Sequence, residues 1–416
     1  MGERGTRGDH PLSPFPVLPS SARQMTLLAI CRELPEVYIC SRMSSTLLLL
    51  LLLAPFALLY AVLIVGARRS RRLPRRSASQ PLPRVSIIVA ARDEERSIER
   101  CMAALAGQEY PPELTEIIVV DDESRDGTRA IMERTAARWP GRFTVIGTVP
   151  ERSKVQGKAR AIAQGIDHAS GEILLTTDAD CTPVSTWVRC AVDHLVEGVE
   201  MVGGFTVVAG ESAFATVQRL DWAHLQGTAS AAAGLGVPLG VVGNNLALRR
   251  AAYERVGGYR TVPFTVTEDF ALMVAIVRSG GRVVYPCVPD LLVYTLPCDT
   301  LVQVVRQKHR WIQGARERAF PGATVPIVSG LALIAMSIAP FFGPVAWSVV
   351  WGVKFLCDLV LIAPALSALG HGRTLRWFLL FEFYYVAQVL VIPPLFFRRS
   401  VVWKGRAYRR GAMVEG

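Results

Sequence analysis

The sequence predicts an α/β protein in which a mostly parallel, doubly wound sheet sits between apolar helices of membrane-spanning length. Three observations predict it. Between residues 83 and 319, apolar runs of strand length alternate with helical patterns, the order that builds parallel sheets from βαβ units. Long uncharged stretches lie on both sides of that region. The net charge of +11 over 416 residues is concentrated beside those stretches.

Residues 1–44 are rich in Pro, Ser and Arg, show no periodicity, and are expected to be disordered; Met43 stands as a natural initiator. A transmembrane anchor is expected over 45–66, because Thr46 to Gly66 carries no charge. About twenty such residues cross the hydrocarbon core, more than a cleaved signal peptide uses. A basic linker, 67–82, follows with Arg68, Arg69, Arg71, Arg72, Arg75 and Arg76. Positive charge beside a span marks the cytoplasmic side, so residues 83–319 are expected in the cytoplasm.

Within that domain, Arg84–Ala90, Glu116–Val120, Phe143–Val149 and Glu172–Thr177 read as strands. Their nearly continuous Val, Ile and Leu content suits strands covered on both faces. Helical patterns occupy Glu94–Leu105, Asp126 towards Arg138, and Lys158–Ala169, with Asp126 expected to cap the second. About 235 residues is ample for one hydrophobic core.

Residues 320–397 turn apolar again, with candidate spans Val325–Ala346, Val349–Leu369 and Phe378–Phe397. Three full passes would leave the basic tail, 398–416, outside, against the positive-inside rule. One segment is therefore expected to be re-entrant or interfacial. Phe378–Phe397 is that segment, since it holds Glu382 and a Pro393-Pro394 break. Lys354 and Asp358, four apart, are expected to pair, as a structural ion pair or a functional one. The expected location is the plasma (inner) membrane, multi-pass, with the tail cytoplasmic.

The 51% hydrophobic content and mean hydropathy of +0.31 are too apolar for an ordinary soluble enzyme. The six linker arginines, with Arg398, Arg399, Lys404, Arg406, Arg409 and Arg410, exceed the whole net charge. Basic clusters beside spans read as topology signals and anionic-lipid contacts, and nucleic-acid binding is excluded as a function class. None of the eight cysteines forms a C-x-x-C pair, and the six histidines are scattered. Neither a zinc site nor a disulfide framework is expected, and the compartment is reducing.

Five short stretches carry chemistry. Asp178-Ala179-Asp180 ends an apolar strand, where two carboxylates can hold a divalent cation with substrate phosphates or simply form a turn. Asp121-Asp122 ends another strand and can accept hydrogen bonds from a base or ribose. Gly157-Lys158 at a helix start can meet an anion through backbone N–H groups and a point charge. Thr267-Glu268-Asp269 is either an N-cap with first-turn acids or a general base at Asp269. Gln307-Lys308-His309-Arg310-Trp311 can clamp a diphosphate and stack on a sugar, or form an interfacial belt.

In this order, with Val85–Glu95 at the front, the series resembles the family 2 inverting glycosyltransferases of GT-A fold. It is most similar to the membrane-bound branch that includes cellulose, hyaluronan and poly-N-acetylglucosamine synthases and ceramide glucosyltransferases. The resemblance covers roughly residues 83–318. Gly243-Asn244-Asn245 with Arg249-Arg250 looks like that family's acceptor-side loop, and Asp93 stands where many members have Asn.

The resemblance implies that Ala90, Asp93, Asp121 and Asp122 hold the uridine of a UDP-sugar. It implies that Asp178 faces the ribose or sugar, and that Asp180 binds Mg²⁺ or Mn²⁺ on the diphosphate. Asp269 would deprotonate the acceptor hydroxyl; Gln307, Arg310 and Trp311 would bind the diphosphate and the acceptor. Lys158 joins the donor-binding set. The function expected is transfer of one sugar from a UDP-sugar to a hydroxyl acceptor, a membrane lipid. The alternatives are a processive polysaccharide synthase, in which a homo-oligomer supplies the missing channel helices, and a non-catalytic membrane scaffold.

Overall fold

The structure, a computed structural model, describes residues 47–49, 51–153, 155–263, 265–316, 324–397, 400–404, 406–409 and 412–414. The expected disordered extension and the Met43 start lie outside these residues. Helix α1 is Leu47–Ser70. Strands and helices then alternate as β1 (Val85–Ala91), α2 (Ile98–Ala106), β2 (Thr115–Asp121), α3 (Thr128–Ala136), β3 (Phe143–Gly147), α4 (Gly157–Asp167) and β4 (Ile173–Asp178). Next come β5 (Thr182–Pro183), α5 (Trp187–His194), β6 (Val199–Gly203), β7 (Thr206–Val208), α6 (Ala213–Gly234) and β8 (Leu246–Arg249). The domain closes with α7 (Arg250–Arg255), α8 (Gly258–Thr261), α9 (Glu268–Arg278), β9 (Arg282–Val284) and β10 (Val293–Thr295). Helices α10 (Leu301–Arg316), α11 (Thr324–Ile338), α12 (Pro344–Ala368) and α13 (Phe378–Phe397) lead to β11 (Ser400–Trp403), β12 (Arg406–Arg409) and β13 (Ala412–Val414).

The main sheet has the order β3-β2-β1-β4-β8-β6-β9. The first four strands are parallel, as expected. Strand β8 runs antiparallel to both its neighbours. Successive strand residues feed opposite cores: Ile88, Ile118, Val120 and Leu174 enter one, while Ile87, Val89, Ile117 and Leu175 enter the other. This two-residue alternation, with both faces covered by helices, explains the unbroken apolar runs.

The winding places the site. From β1 the chain moves to one side through β2 and β3, then returns to the other side as β4. Ligands in open α/β sheets bind outside the carboxyl ends of strands where the order reverses, here between β1 and β4. Register sets Ala90 beside both Val120 and Asp178, and Ala91 beside Asp121.

Helix α1 lies against α6 backbone to backbone. A Cβ on Gly66 would meet the Ala231 carbonyl oxygen at 1.9 Å, and one on Gly234 would meet that of Gly66 at 2.1 Å. Small residues permit such close helix approach. A buried polar network joins the apolar helices: Lys354 Nζ lies 2.7 Å from Asp358 Oδ2 and also pairs with Glu382, while His224 of α6 lies 3.1 Å from Asp358 Oδ1. Tyr60 of α1 hydrogen-bonds both His224 and Asp358. The expected Lys354–Asp358 pair is present as part of this larger set.

Two expectations are corrected. Val325–Ala346 is not one span: α11 stops at Ile338, a 3-10 turn covers Ala339–Phe342, and α12 starts at Pro344. Gly343 at φ 98° makes the break, a conformation costly for residues with a Cβ. Among the described residues, two helices are long and apolar enough to cross a membrane, Leu47–Ser70 and Pro344–Ala368. Pro393-Pro394 does not break its helix, which runs to Phe397. Within the basic tail, β11, β12 and β13 form an antiparallel three-stranded sheet.

Candidate active site

At the β1–β2 side, two loops interlock. Asp93 adopts φ 51°, a left-handed conformation that Asp and Asn tolerate better than most. Its Oδ1 accepts the Arg125 N–H at 2.8 Å, and its own N–H donates to Ser124 Oγ at 3.1 Å. Asp121 Oδ1 accepts the Ser124 N–H at 3.2 Å. The N-cap of α3 is Gly127 rather than the expected Asp126, which stands one residue earlier and accepts the Thr128 N–H at 3.0 Å.

Asp122 is buried, and its carboxylate is taken by two arginines: Arg160 at 2.9 Å and Arg406 at 2.5 Å. Glu123 shares both arginines; burial pushes its carboxyl up, but the guanidinium groups outweigh that and hold it below the usual range. Nearby, Lys404 Nζ lies 2.7 Å from Glu94 Oε1 and 3.3 Å from the Asp93 carbonyl. Buried Tyr408 stands over Gly157, where a Cβ would come within 2.6 Å of its hydroxyl. The tail sheet therefore closes the end of the pocket expected to hold the base. Sequence reasoning missed it because the basic residues read as a topology signal. The alternation Arg406, Ala407, Tyr408, Arg409 was the available signal for a strand.

The acids meet on Lys158. Its Nζ lies 2.5 Å from Asp178 Oδ1 and 3.2 Å from Glu268 Oε1. Burial lowers the affinity of this amine for its proton, but Asp178 and Glu268 reverse the effect and hold its pKa above the ordinary lysine value. Asp269 accepts the Gly243 N–H on Oδ2 at 2.6 Å and its neighbour Phe270's N–H on Oδ1 at 2.7 Å. Burial first, then Glu268, pushes the Asp269 carboxyl up to about 6, against the opposing pull of Lys158. Each carboxylate oxygen retains a lone pair for a further proton.

Gly243-Asn244-Asn245 lies against Asp269, to which the Gly243 N–H donates. The Thr176 and Thr177 hydroxyls donate to the Gly243 and Asn244 carbonyls, each at 2.8 Å, tying the loop to β4. Asn244 and Asn245 are buried, the first accepting from Thr206 and the second from Trp187. Arg249 and Arg250 donate to backbone carbonyls of Val199 and Gly171. These side chains are spent on the fold.

Helix α10 flanks the acids. A Cβ on Gly314 would sit 1.8 Å from Thr267 Oγ1, so α10 touches the first turn of α9 there. Trp311 meets Trp222 edge-on at 5.3 Å, and Lys308 lies 4.9 Å above the Trp311 ring while pairing with Asp221 at 2.5 Å. Arg310 and Asp180 both exert their charge on Cys298, whose backbone bonds the Gln218 side chain of α6. Gln307 is half-buried on the same helix.

Asp180 fits a divalent cation. Burial, then Asp178 and Glu94, push its carboxyl up to about 6, a proton affinity that a metal would displace. Among the described residues no three side chains form a ready-made metal cage. Mg²⁺-type ions need only one or two carboxylates when substrate phosphates complete the shell. The donor set thus suits a cation shared with a diphosphate.

The family model described as "Glycosyltransferase like family 2" matches residues 83–314. The N-acetylglucosaminyltransferase of Rhizobium meliloti (strain 1021) is 27% identical over 349 residues, 76% of this chain and 79% of that one. The probable glycosyltransferase YdaM of Bacillus subtilis (strain 168) is 27% identical over 254 residues, 59% of this chain and 58% of that one. A beta-monoglucosyldiacylglycerol synthase of Synechocystis sp. is 25% identical over 256 residues, 58% of this chain and 50% of that one. The chain thus spans 58% and 50% of the length of these last two relatives. In fold it is similar to the mannosyltransferase PcManGT from Pyrobaculum calidifontis in complex with GDP-Man and Mn²⁺, with TM-score 0.52 and 22% identity, covering 80% of this chain and 98% of that one.

Proposed function

This chain belongs to the glycosyltransferase family 2-like proteins, and from that premise we propose that it is a membrane-bound, inverting, metal-dependent hexosyltransferase. It moves one sugar from a UDP-sugar to a hydroxyl of a membrane lipid. The observation that carries the reading is the meeting of Asp178 and Glu268 on Lys158, which draws the donor carboxylates and the base segment to one crevice.

In the proposed reaction, Asp93 and Asp121 border the base and ribose, and Asp122 shapes that end by holding Arg160 and Arg406. Ala90, at the rim of β1, leaves room for the nucleotide. Asp178 faces the donor. Asp180 would hold Mg²⁺ or Mn²⁺, which when bound supplies Lewis-acid neutralisation of the leaving diphosphate. Lys158 and Arg310 add positive charge on the same side, and Gln307 and Trp311 line the acceptor side. Asp269 takes the proton of the acceptor hydroxyl as its oxygen forms the new bond to the anomeric carbon. The bond from that carbon to the diphosphate oxygen breaks on the opposite face, UDP leaves, and the configuration inverts.

The tail supports a membrane topology. Lys404 and Arg406 touch the catalytic domain, so an even number of crossings separates the two. Helices α11 and α12 form a hairpin whose tip exposes Phe341, Phe342 and Val345, and α13 lies at the interface. With α1, this is a multi-pass inner-membrane protein with a cytoplasmic catalytic domain.

The test is a donor screen on membranes containing the protein, with total lipid extract and radiolabelled nucleotide sugars. A chloroform-soluble product of fixed mass, lost with EDTA and restored by Mn²⁺ or Mg²⁺, is expected. A polymer ladder would instead support a processive synthase, the reading that Gln307, Arg310 and Trp311 favour. No turnover of any nucleotide sugar would refute the enzyme reading.

A further inference from the structure

Helix α13 carries three side-chain atoms enclosed without a hydrogen-bond partner; Glu382 Oε1 belongs to the Lys354 ion pair, and the other two are Tyr384 Oη and Gln388 Nε2. The two residues are four apart and so share a face. Leu395, on the same face by helical spacing, has its carbonyl accepting Gln313 Nε2 of α10 at 3.2 Å, which turns that face towards α10. Glu382 occupies the other side of the helix, paired with Lys354 of α12. Tyr384 also lies within electrostatic reach of Asp221 on α6 and of Cys298, and Cys298 within reach of Asp180 and Arg310. The unpartnered pair therefore sits in the seam of α6, α10 and α13, linked through Cys298 to the surroundings of Asp180 and Arg310.

Buried polar groups are normally satisfied, and leaving one unpaired carries its full desolvation penalty. Two on one face of a helix whose one charged residue, Glu382, is engaged on the other side call for a ligand. A phenol and a carboxamide donate and accept hydrogen bonds without charge. The cation beside them, Lys308, is already matched by Asp221. We propose that Tyr384 and Gln388 bind the uncharged, hydroxyl-bearing head of the acceptor lipid, so that α13 selects a lipid alcohol over a lipid phosphate. The inference rests on the lipid-transferase reading above.

The experiment uses the full chain in mixed micelles with the nucleotide sugar found in the donor screen. A lipid extract is separated into neutral and acidic fractions by anion exchange. Label is expected in the neutral fraction. Tyr384→Phe and Gln388→Met should each raise the KM for that fraction about tenfold, with the donor KM changed less than twofold. Thermal stability should hold or rise, since each change removes an unpaired polar group; a purely structural role would lower it and leave the lipid KM alone. Label confined to the acidic fraction, or an unchanged lipid KM in both variants, overturns the inference while the transferase reading stands. Absence of donor turnover overturns the reading beneath it, and the inference falls with it.

Discussion

Lys158 Nζ lies 2.5 Å from Asp178 Oδ1, an ion pair between the first turn of α4 and the last residue of β4. The same amine reaches Glu268 at 3.2 Å. One cation thus couples segments 90 residues apart from Asp178 to Glu268 in the chain, and its removal leaves two partly buried acids unmatched.

Lys158→Met should therefore weaken donor binding. A charge-assisted contact is worth about 1.5–3 kcal/mol, roughly a 10- to 100-fold rise in donor KM. Titration calorimetry with UDP and Mn²⁺ reads this directly. Unchanged affinity would mean that the lysine only braces the fold.

Asp269→Asn should reduce turnover by about 10²- to 10⁴-fold, the usual share of a general base, while UDP binding persists. In the unaltered protein, kcat/KM should fall as pH drops through about 6, where the raised carboxyl of Asp269 takes up its proton. The sign for stability is opposite. A folded-state value above the ordinary 3.8 favours folding at low pH, and that contribution fades as pH rises past about 6. Activity and the Asp269 contribution to stability should move in opposite directions between pH 4 and 7, as paired rate and melting profiles would reveal.

Arg406→Ala leaves Asp122 with Arg160 alone and opens the pocket end that the tail closes. The expected effect is a donor KM raised about tenfold, the loss of one charge-assisted pair, with kcat and the lipid KM nearly unchanged. Steady-state kinetics separates these terms. A larger effect on kcat would place the arginine in the chemical step instead.

Gly314→Ala should push α10 away from Thr267, because no Cβ fits 1.8 Å from its hydroxyl oxygen. Overpacking of this kind costs about 1–3 kcal/mol. Loss of transfer with retained UDP binding is expected, and Thr267→Ala paired with Gly314→Ala should restore part of it by clearing the hydroxyl.

Much of the catalytic domain was legible before any coordinates. The strands ending at Asp121 and Asp178 announced themselves as buried apolar runs followed by acids, a local pattern that parallel packing requires. Thr267-Glu268-Asp269 was legible as a helix start for the same reason. The antiparallel β8 was not, since its few apolar residues carry no mark of direction. The anchoring of Gly243-Asn244-Asn245 was not legible either, because exposed and buried asparagines look identical in a sequence; the bonds from Thr176, Thr177 and Trp187 reveal it.

By itself the sequence determined the α/β class, the apolar helices and the order of the acidic motifs, because hydrophobic periodicity and turn chemistry are local properties. The tertiary structure decided which charges face one another: Lys158 with Asp178 and Glu268, Arg406 with Asp122, and Lys308 with Asp221. Pairing over such separations follows from winding and register, which bring distant residues within a few ångströms and leave no trace in either residue's neighbours along the chain. The tail shows this most plainly: its basic residues have the composition of a membrane-side cluster, and folding pairs Lys404 with Glu94 and Arg406 with Asp122.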